Sequence, residues 1–317
     1  MDTIAMRQSN KRVTEQQKER LTSIISVRSA EYHTIGRTSI YGNYKNFNVG
    51  IHPNTITVDG SLSEFVFGQN VDIIDFQQTK DALYQLELEL GIPILTAQLV
   101  RLDMGECFFL DSSLIRYFTS LLPTPFSVRE EKENPNHGVT YRLKKNELSF
   151  YNKTQYAITS PMVTIPDGKQ VMRIEKRYKS NLRRSVLNNS RKLAVFHLLS
   201  HSFHKRMATL WCNHFDSIVK KRKIYEYPKM KGYKDYCDFR MASSLIEHSI
   251  EACFSELQII AEENKWKTRV LTDLQNALLA HYNSGLATVP NRYIKELERE
   301  VHNGYIWQLA HQHSTID

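Results

Sequence analysis

Three short segments of the sequence alternate apolar residues with chemically active ones at a spacing of two. In Leu99 to Met104, Val100, Leu102 and Met104 make one set, and Arg101 and Asp103 make the other. In Glu147 to Lys153, Leu148 and Phe150 alternate with Ser149, Tyr151 and Lys153. In Gln170 to Tyr178, Met172 and Ile174 alternate with Arg173, Glu175 and Arg177. A period of two marks a strand, because successive strand side chains point to opposite sheet faces. If the three strands are neighbours, their polar faces converge on Asp103, Glu175, Tyr151, Lys153, Arg101, Arg173 and Arg177. Two carboxylates can hold a hard divalent cation such as Mg²⁺ or Mn²⁺. A tyrosine beside that cation can act as a nucleophile, and basic groups can hold a phosphate. The plainer alternative is an amphipathic antiparallel sheet with an ordinary charged wet face.

The surrounding pattern supplies the elements that must position these residues. Thr14 and Gln17 form a capping box that predicts a helix from Thr14 to Ser26. A β-rich stretch follows from Asn48 to Val66, with a turn expected at Asp59-Gly60. A second helix is predicted from Asp75 to Leu90, with Leu83, Leu86 and Leu90 on one face and Gly91 and Pro93 as stops. The strand Gln98 to Phe109 then closes a β-α-β unit. A short helix is expected over Ser112 to Leu122, a polar loop over Arg129 to Gly138, and a hairpin over Val139 to Lys153. Beyond residue 190 the pattern turns helical, with segments at 191–222, 239–265, 267–284 and 290–303. The expectation is therefore an α+β fold over 1–190, mainly an antiparallel sheet with helices on one face. An all-α C-terminal region over 191–317 follows it.

The chain has 317 residues, with 42 Lys and Arg against 34 Asp and Glu, a formal charge of +8. Its ordinary composition excludes a collagen-like or wholly disordered chain. The basic balance favours a polyanionic partner, nucleic acid before a membrane surface. No apolar run approaches the length of a spanning helix, and the first twenty residues lack the apolar core of a secretory signal. Cys107, Cys212, Cys237 and Cys253 form no C-x-x-C pair, which suits free thiols in a reducing cytoplasm. The charge is not spread evenly. Residues 142–192 hold thirteen Lys and Arg against three Asp and Glu, more than the net excess of the whole chain.

His197, His201 and His204 stand at i, i+4 and i+7 of the expected helix, a spacing that could face a metal. A polar helix face or contacts to DNA account for them more simply. The tract 179–184 (KSNLRR), with Lys179, Arg183 and Arg184 followed by Arg191 and Lys192, suits phosphate contacts. Trp211, Trp266 and Trp307 lie in helical stretches and are expected in the core.

The segments ITVDGSLSEFVFGQN (56–70), LVRLDMGECF (99–108), LSFYNKTQYA (148–157) and VMRIEKRYKSNL (171–182) also match a family pattern in order and spacing. They resemble the phage and plasmid replication initiators related to the gene II and gene X proteins of filamentous phages. YGNYKNFNV (41–49) resembles the start of the same block in bacterial members. The resemblance covers about residues 40 to 190. It implies an origin-specific single-strand nickase that starts rolling-circle replication. It further implies that Tyr151 is the nucleophile and Lys153 the lysine that follows it. Asp103 matches the acidic residue of one strand, and Arg173 and Glu175 match those of another. The His-hydrophobe-His metal strand of other rolling-circle nickases has no counterpart here. The resembling phage family is expected to use acidic residues at that place, which implies Asp103 and Glu175 as the metal ligands. Tyr156, five residues beyond Tyr151, is expected on the opposite strand face.

The implied reaction is attack of Tyr151 on an origin phosphodiester, giving a 5′-phosphotyrosyl link and a free 3′-hydroxyl for a host polymerase. Mg²⁺ or Mn²⁺ would favour the phenolate, and Lys153, Arg173 or Arg177 would stabilise the transition state. Arg101, Arg173, Arg177, Lys179, Arg183 and Arg184 are the expected DNA contacts, with a host helicase as a further partner. The alternative is a non-catalytic regulator that binds single-stranded or origin DNA.

Overall fold

The computed structural model describes residues 1–33, 37–125, 127–131, 137–143, 146–179, 193–225, 250–283 and 288–312. The chain forms two compact units, Met1–Lys220 with Tyr293–Asp317, and Lys221–Arg292. The boundary expected near 190 falls outside the described residues, and 193–220 belongs with the sheet.

The first unit is α+β and is built on one large antiparallel sheet. Its strands are β1 (Thr3–Ser9), β2 (Ser26–His33), β3 (Arg37–Tyr44), β4 (Phe47–Ile51), β5 (Thr55–Ser61), β6 (Gln98–Leu110), β7 (Val128–Glu131), β8 (Gly138–Arg142), β9 (Asn146–Asn152) and β10 (Gln170–Lys179). Their order across the sheet is β2-β3-β4-β5-β1-β6-β10-β9-β8-β7. Each neighbouring pair is antiparallel.

β1 lies between β5 and β6 and runs antiparallel to both. β5 and β6 are therefore parallel, joined by α2 (Leu62–Phe67) and α3 (Phe76–Leu90). The expected β-α-β unit exists in split form, with a third strand inserted. No strand is expected from the sequence before the first helix. Yet Ile4 and Met6 are buried while Arg7 and Ser9 are exposed, the alternation of a half-buried strand.

Local signals explain the helices. Thr14 and Gln17 close the capping box of α1 (Glu15–Ile24), and Asp75 and Gln78 close that of α3. Gly91 ends α3 at φ 66, a conformation that suits glycine. The turn expected at Asp59-Gly60 is not there. Both residues continue β5 and pair with β1, while the chain reverses at 52–54. Part of the expected polar loop after Arg129 is strand β7.

The apolar face of β9 and β10 supports the core. Leu148, Phe150, Met172 and Ile174 are buried there. α6 (His201–Ser217) covers them, with the Phe150 and Phe215 rings 6.2 Å apart and Trp211 stacked on Phe215 at 5.8 Å. Each such side chain contributes about 1.5–3 kcal/mol by leaving water. Lys176 is buried on this same face, where its Nζ donates to the Leu210 carbonyl at 2.5 Å. The opposite face is not wholly bare. At one end Phe109 and Val171 pack with Ala157 of α5 (Thr154–Thr159) and with Val71, Val163 and Ile165.

α4 (Leu114–Phe118) places Tyr117, whose hydroxyl donates to Glu296 at 2.6 Å on α9 (Arg292–Asn303). α10 (Tyr305–His311) is seated by Glu106, whose carboxylate accepts from the Tyr305 and Ile306 backbone at 2.7 and 3.0 Å. The second unit contains α7 (Ile250–Glu263) and α8 (Thr268–Asn283), which meet at Cys253 and Leu278. It also contains an antiparallel ladder of β11 (Lys223–Tyr225) and β12 (Thr288–Pro290). That ladder interrupts the expected run of helices. No helix among the described residues is long and apolar enough to cross a membrane.

Candidate functional site

β6, β10 and β9 are consecutive neighbours, so the polar sets of the three segments meet. Arg177 stands opposite Asp103 on β6 and Glu147 on β9. Glu175 stands opposite Gly105 and Ser149, and Arg173 opposite Cys107 and Tyr151. Cross-strand neighbours on one face lie within reach of each other's side chains.

The charges interlock. Asp103 is 0 % exposed and accepts from Arg101 Nε at 3.1 Å and Arg177 Nε at 3.0 Å. Arg101 Nη2 makes a further close contact to it. Arg177 also reaches Glu175 at 2.7 Å and Glu147 at 3.3 Å. Lys179 pairs with Glu147 at 2.8 Å. Arg173 is 2 % exposed and joins Asp2 at 2.6 Å, the Asn70 carbonyl at 2.6 Å and Glu175 at 3.4 Å. The Tyr151 hydroxyl donates to Glu175 Oε2 at 3.0 Å.

Burial sets the electrostatics. It pushes the Asp103 carboxyl up to about 6; the nearby Glu175 charge adds to this, while Arg101 and Arg177 oppose it. It also pushes the Tyr151 phenol up, with Glu175 and Asp2 adding to the rise and Arg173 opposing it. Tyr151 is thus held as a neutral phenol beside a carboxylate acceptor.

Gly105 makes this geometry possible. A Cβ there would stand 3.1 Å from Arg173 Nη2 and 3.2 Å from Glu175 Cβ. The missing side chain lets the guanidinium cross the middle of β6. Gly138, at φ 135, plays a similar part beside Tyr151, where a Cβ would lie 2.0 Å from the Phe150 carbonyl.

The expected site residues have different fates. Arg101, Asp103, Tyr151, Glu175 and Arg177 come together as parity requires. Arg101 and Arg177 are each 30 % exposed at the side chain, and Lys179 is 54 % exposed, so these three face solvent at the rim. Arg173 belongs to the buried network. It is not a DNA contact as it stands, because water is excluded and its donors point to Asp2, Asn70 and Glu175. Lys153 is not on the strand: β9 ends at Asn152, Lys153 stands at the N-cap position of α5 without a side-chain cap bond, and its ammonium lies 3.9 Å from the Tyr156 ring centre. Burial, with the Arg173 charge, lowers the pKa of Lys153. Tyr156 lies in α5, so strand parity does not apply to it. Arg183 and Arg184 lie outside the described residues, as do Arg191 and Lys192.

The carboxylates do not fit a divalent cation in this arrangement. Asp103 and Glu175 face three guanidiniums, and Mg²⁺ or Mn²⁺ would bind only in exchange for Arg101 and Arg177. Among the described residues no group of three or more His, Cys, Asp or Glu is placed to hold a metal. The three histidines do not share a helix face. His197 sits in a 3-10 turn (Val195–Leu199) that ends before α6, and its Nδ1 lies 2.9 Å from the Ala194 carbonyl. His204 is buried against the Leu198 carbonyl at 2.8 Å, and burial lowers its pKa to about 3. Of the tryptophans only Trp211 is deeply buried, and Trp266 lies exposed between α7 and α8.

Three participants escape the sequence reading. Asp2 arrives with the unexpected strand β1. Glu147 shares the parity of Tyr151 at the start of β9, and its position in the alternation was the signal for it. Gly105 interrupts an otherwise strong strand pattern, which by itself marks a close approach.

No protein-family model matches the chain, and no curated protein matches it.

Proposed function

We propose that this chain is an origin-specific DNA nickase and strand transferase that initiates rolling-circle replication of a phage or plasmid. The observation that carries the reading is the Tyr151 hydroxyl donating to Glu175 at 3.0 Å on a polar sheet face rimmed by arginines. The resemblance to the gene II and gene X group supports it, as does the antiparallel sheet that holds the site.

In the proposed reaction the Tyr151 oxygen attacks a phosphodiester phosphorus while its proton passes to Glu175. An ordinary phenol titrates near 10, and burial raises this one further, so it needs a base at the moment of attack. The P–O3′ bond breaks and the 3′-oxygen leaves, taking a proton from solvent water to become a hydroxyl. A 5′-phosphotyrosyl link remains. Arg101 and Arg177, at the open rim, stabilise the charge on the phosphoryl oxygens. The reverse attack by a 3′-hydroxyl rejoins a strand without ATP. The free 3′-hydroxyl would serve a host polymerase, with a helicase opening the duplex, in the cytoplasm.

A second reading is a non-catalytic regulator that binds single-stranded or origin DNA. It is favoured by the mutual pairing of Arg101 and Arg177 with Asp103, which is the pattern of a structural network. Incubation with supercoiled plasmid carrying the DNA that flanks the coding region separates the two. Conversion to the open-circular form, with and without Mg²⁺, supports the nickase. Binding without conversion under either condition supports the regulator.

A further inference from the structure

On the same polar face, away from Tyr151, the sheet carries a groove of about 620 Å³. Beyond the tract that follows β10, the chain returns beside β6: Leu99 N donates to the Leu193 carbonyl at 2.8 Å, and Val195 N to the Ala97 carbonyl at 3.0 Å. This pairing sets Phe196 at one wall. The other wall is β1 and the turn after it, with Arg7, Lys11 and Arg12. Thr55 and Gln98 also line the groove, and among the described residues no carboxylate does.

Two features of this lining point to a ligand. The Arg7 and Lys11 side chains are exposed and make no ion pair with a described carboxylate, unlike the arginines of the Tyr151 cluster. Phe196 is 50 % exposed, and its ring stacks on His197 at 4.1 Å. Exposed cations beside an exposed aromatic ring are what an unpaired nucleotide strand requires: phosphates meet the cations and a base meets the ring. A duplex offers no free base face to Phe196.

We infer that this groove holds single-stranded DNA at a site separate from the Tyr151 cluster. The choice of DNA as the polyanion rests on the proposed nickase reading. Arg7 stands opposite Gln98 on β6, and Tyr151 lies level with Cys107 through Arg173. The nine residue-to-residue steps from Gln98 to Cys107 span about 30 Å at about 3.3 Å each. A strand engaged at both places would be several nucleotides long.

The test is fluorescence anisotropy of a labelled oligothymidine with the full chain, over a salt series. The double variant Arg7→Ala, Lys11→Ala should weaken binding at least tenfold. It should also flatten the log affinity against log salt slope by about 1.4, about 0.7 per lost phosphate contact on a single strand. Phe196→Ala should weaken binding about tenfold with the slope unchanged, and Phe196→Trp should restore it. All variants are surface changes, and equal thermal melts would confirm that they fold. Wild-type affinity in both Ala variants overturns the inference. So does equal Phe196 dependence with a duplex of the same length, or tighter binding of the matching RNA. The two readings fail separately. Loss of a Tyr151 adduct claim with groove variants still impaired removes only the nickase. An adduct with groove variants unimpaired removes only the groove.

Discussion

Tyr151 and Glu175 are joined diagonally across β9 and β10 by a hydrogen bond of 3.0 Å from the phenol to Oε2. Glu175 is held on its other oxygen by Arg177 at 2.7 Å, so the carboxylate is fixed in orientation. A positioned acid–base partner typically contributes about 10²–10⁴ in rate. Glu175→Gln keeps the shape and cannot take the proton. Nicking should fall by a factor in that range while oligonucleotide affinity changes little. Nicking at the wild-type rate would remove Glu175 from the reaction.

Arg173 supports the site without touching solvent. Arg173→Met leaves Asp2, itself 3 % exposed at the side chain, without its cation. Breaking one half of a buried pair costs about 3–5 kcal/mol. Urea unfolding should show a loss of that order, and Arg173→Lys should recover part of it because charge returns without the planar fork. A loss below about 1 kcal/mol would show that the network is not structural.

Gly105 and Arg173 should be coupled. A Cβ at 105 presses on Nη2 at 3.1 Å, so Gly105→Ala should destabilise by about 1–3 kcal/mol. The same change should cost less in an Arg173→Met background, since the group it meets is gone. A double-mutant cycle by urea unfolding reads this directly. Strict additivity would contradict the close approach.

Lys176 makes stability depend on pH. Burial lowers its pKa from the ordinary 10.5 to about 7. Between those values the unfolded chain binds more protons than the folded one, so the contribution of Lys176 to stability rises with pH across about 7 to 10. Below about 7 both states are protonated and the folded state bears the full cost of a buried charge. Lys176→Met should therefore stabilise the protein at pH 7 by about 2–4 kcal/mol and flatten that slope. Urea titrations at pH 7 and pH 9 would show it. An unchanged slope would mean that the amine is solvated.

Much of this site was readable from alternation alone. The period of two assigned Arg101, Asp103, Tyr151, Glu175 and Arg177 to one face, and the register of β6, β10 and β9 brought those faces together. What alternation misses is where a strand stops. Lys153 fits the parity, yet β9 ends one residue earlier and the backbone turns into α5, where Thr154 Oγ1 and the Lys153 N–H both bond to Val171. Parity also says nothing about depth. Arg173 and Arg177 share a face, but Asp2 and the Asn70 loop cover only the first. The insertion of β1 between β5 and β6 is a long-range pairing that no local signal encodes, and it is what delivers Asp2. The three histidines show the reverse failure, since their helical spacing is real but the helix starts only after Ser200.

The most direct measurement is a covalent one. The protein is incubated with a labelled single-stranded origin oligonucleotide, denatured and resolved on a gel. The wild type should carry the label through a phosphotyrosyl bond, with the modified peptide containing Tyr151, and Tyr151→Phe should carry none while still binding the DNA. An adduct that survives Tyr151→Phe, or one mapped to another residue, would contradict the assignment of Tyr151 as nucleophile.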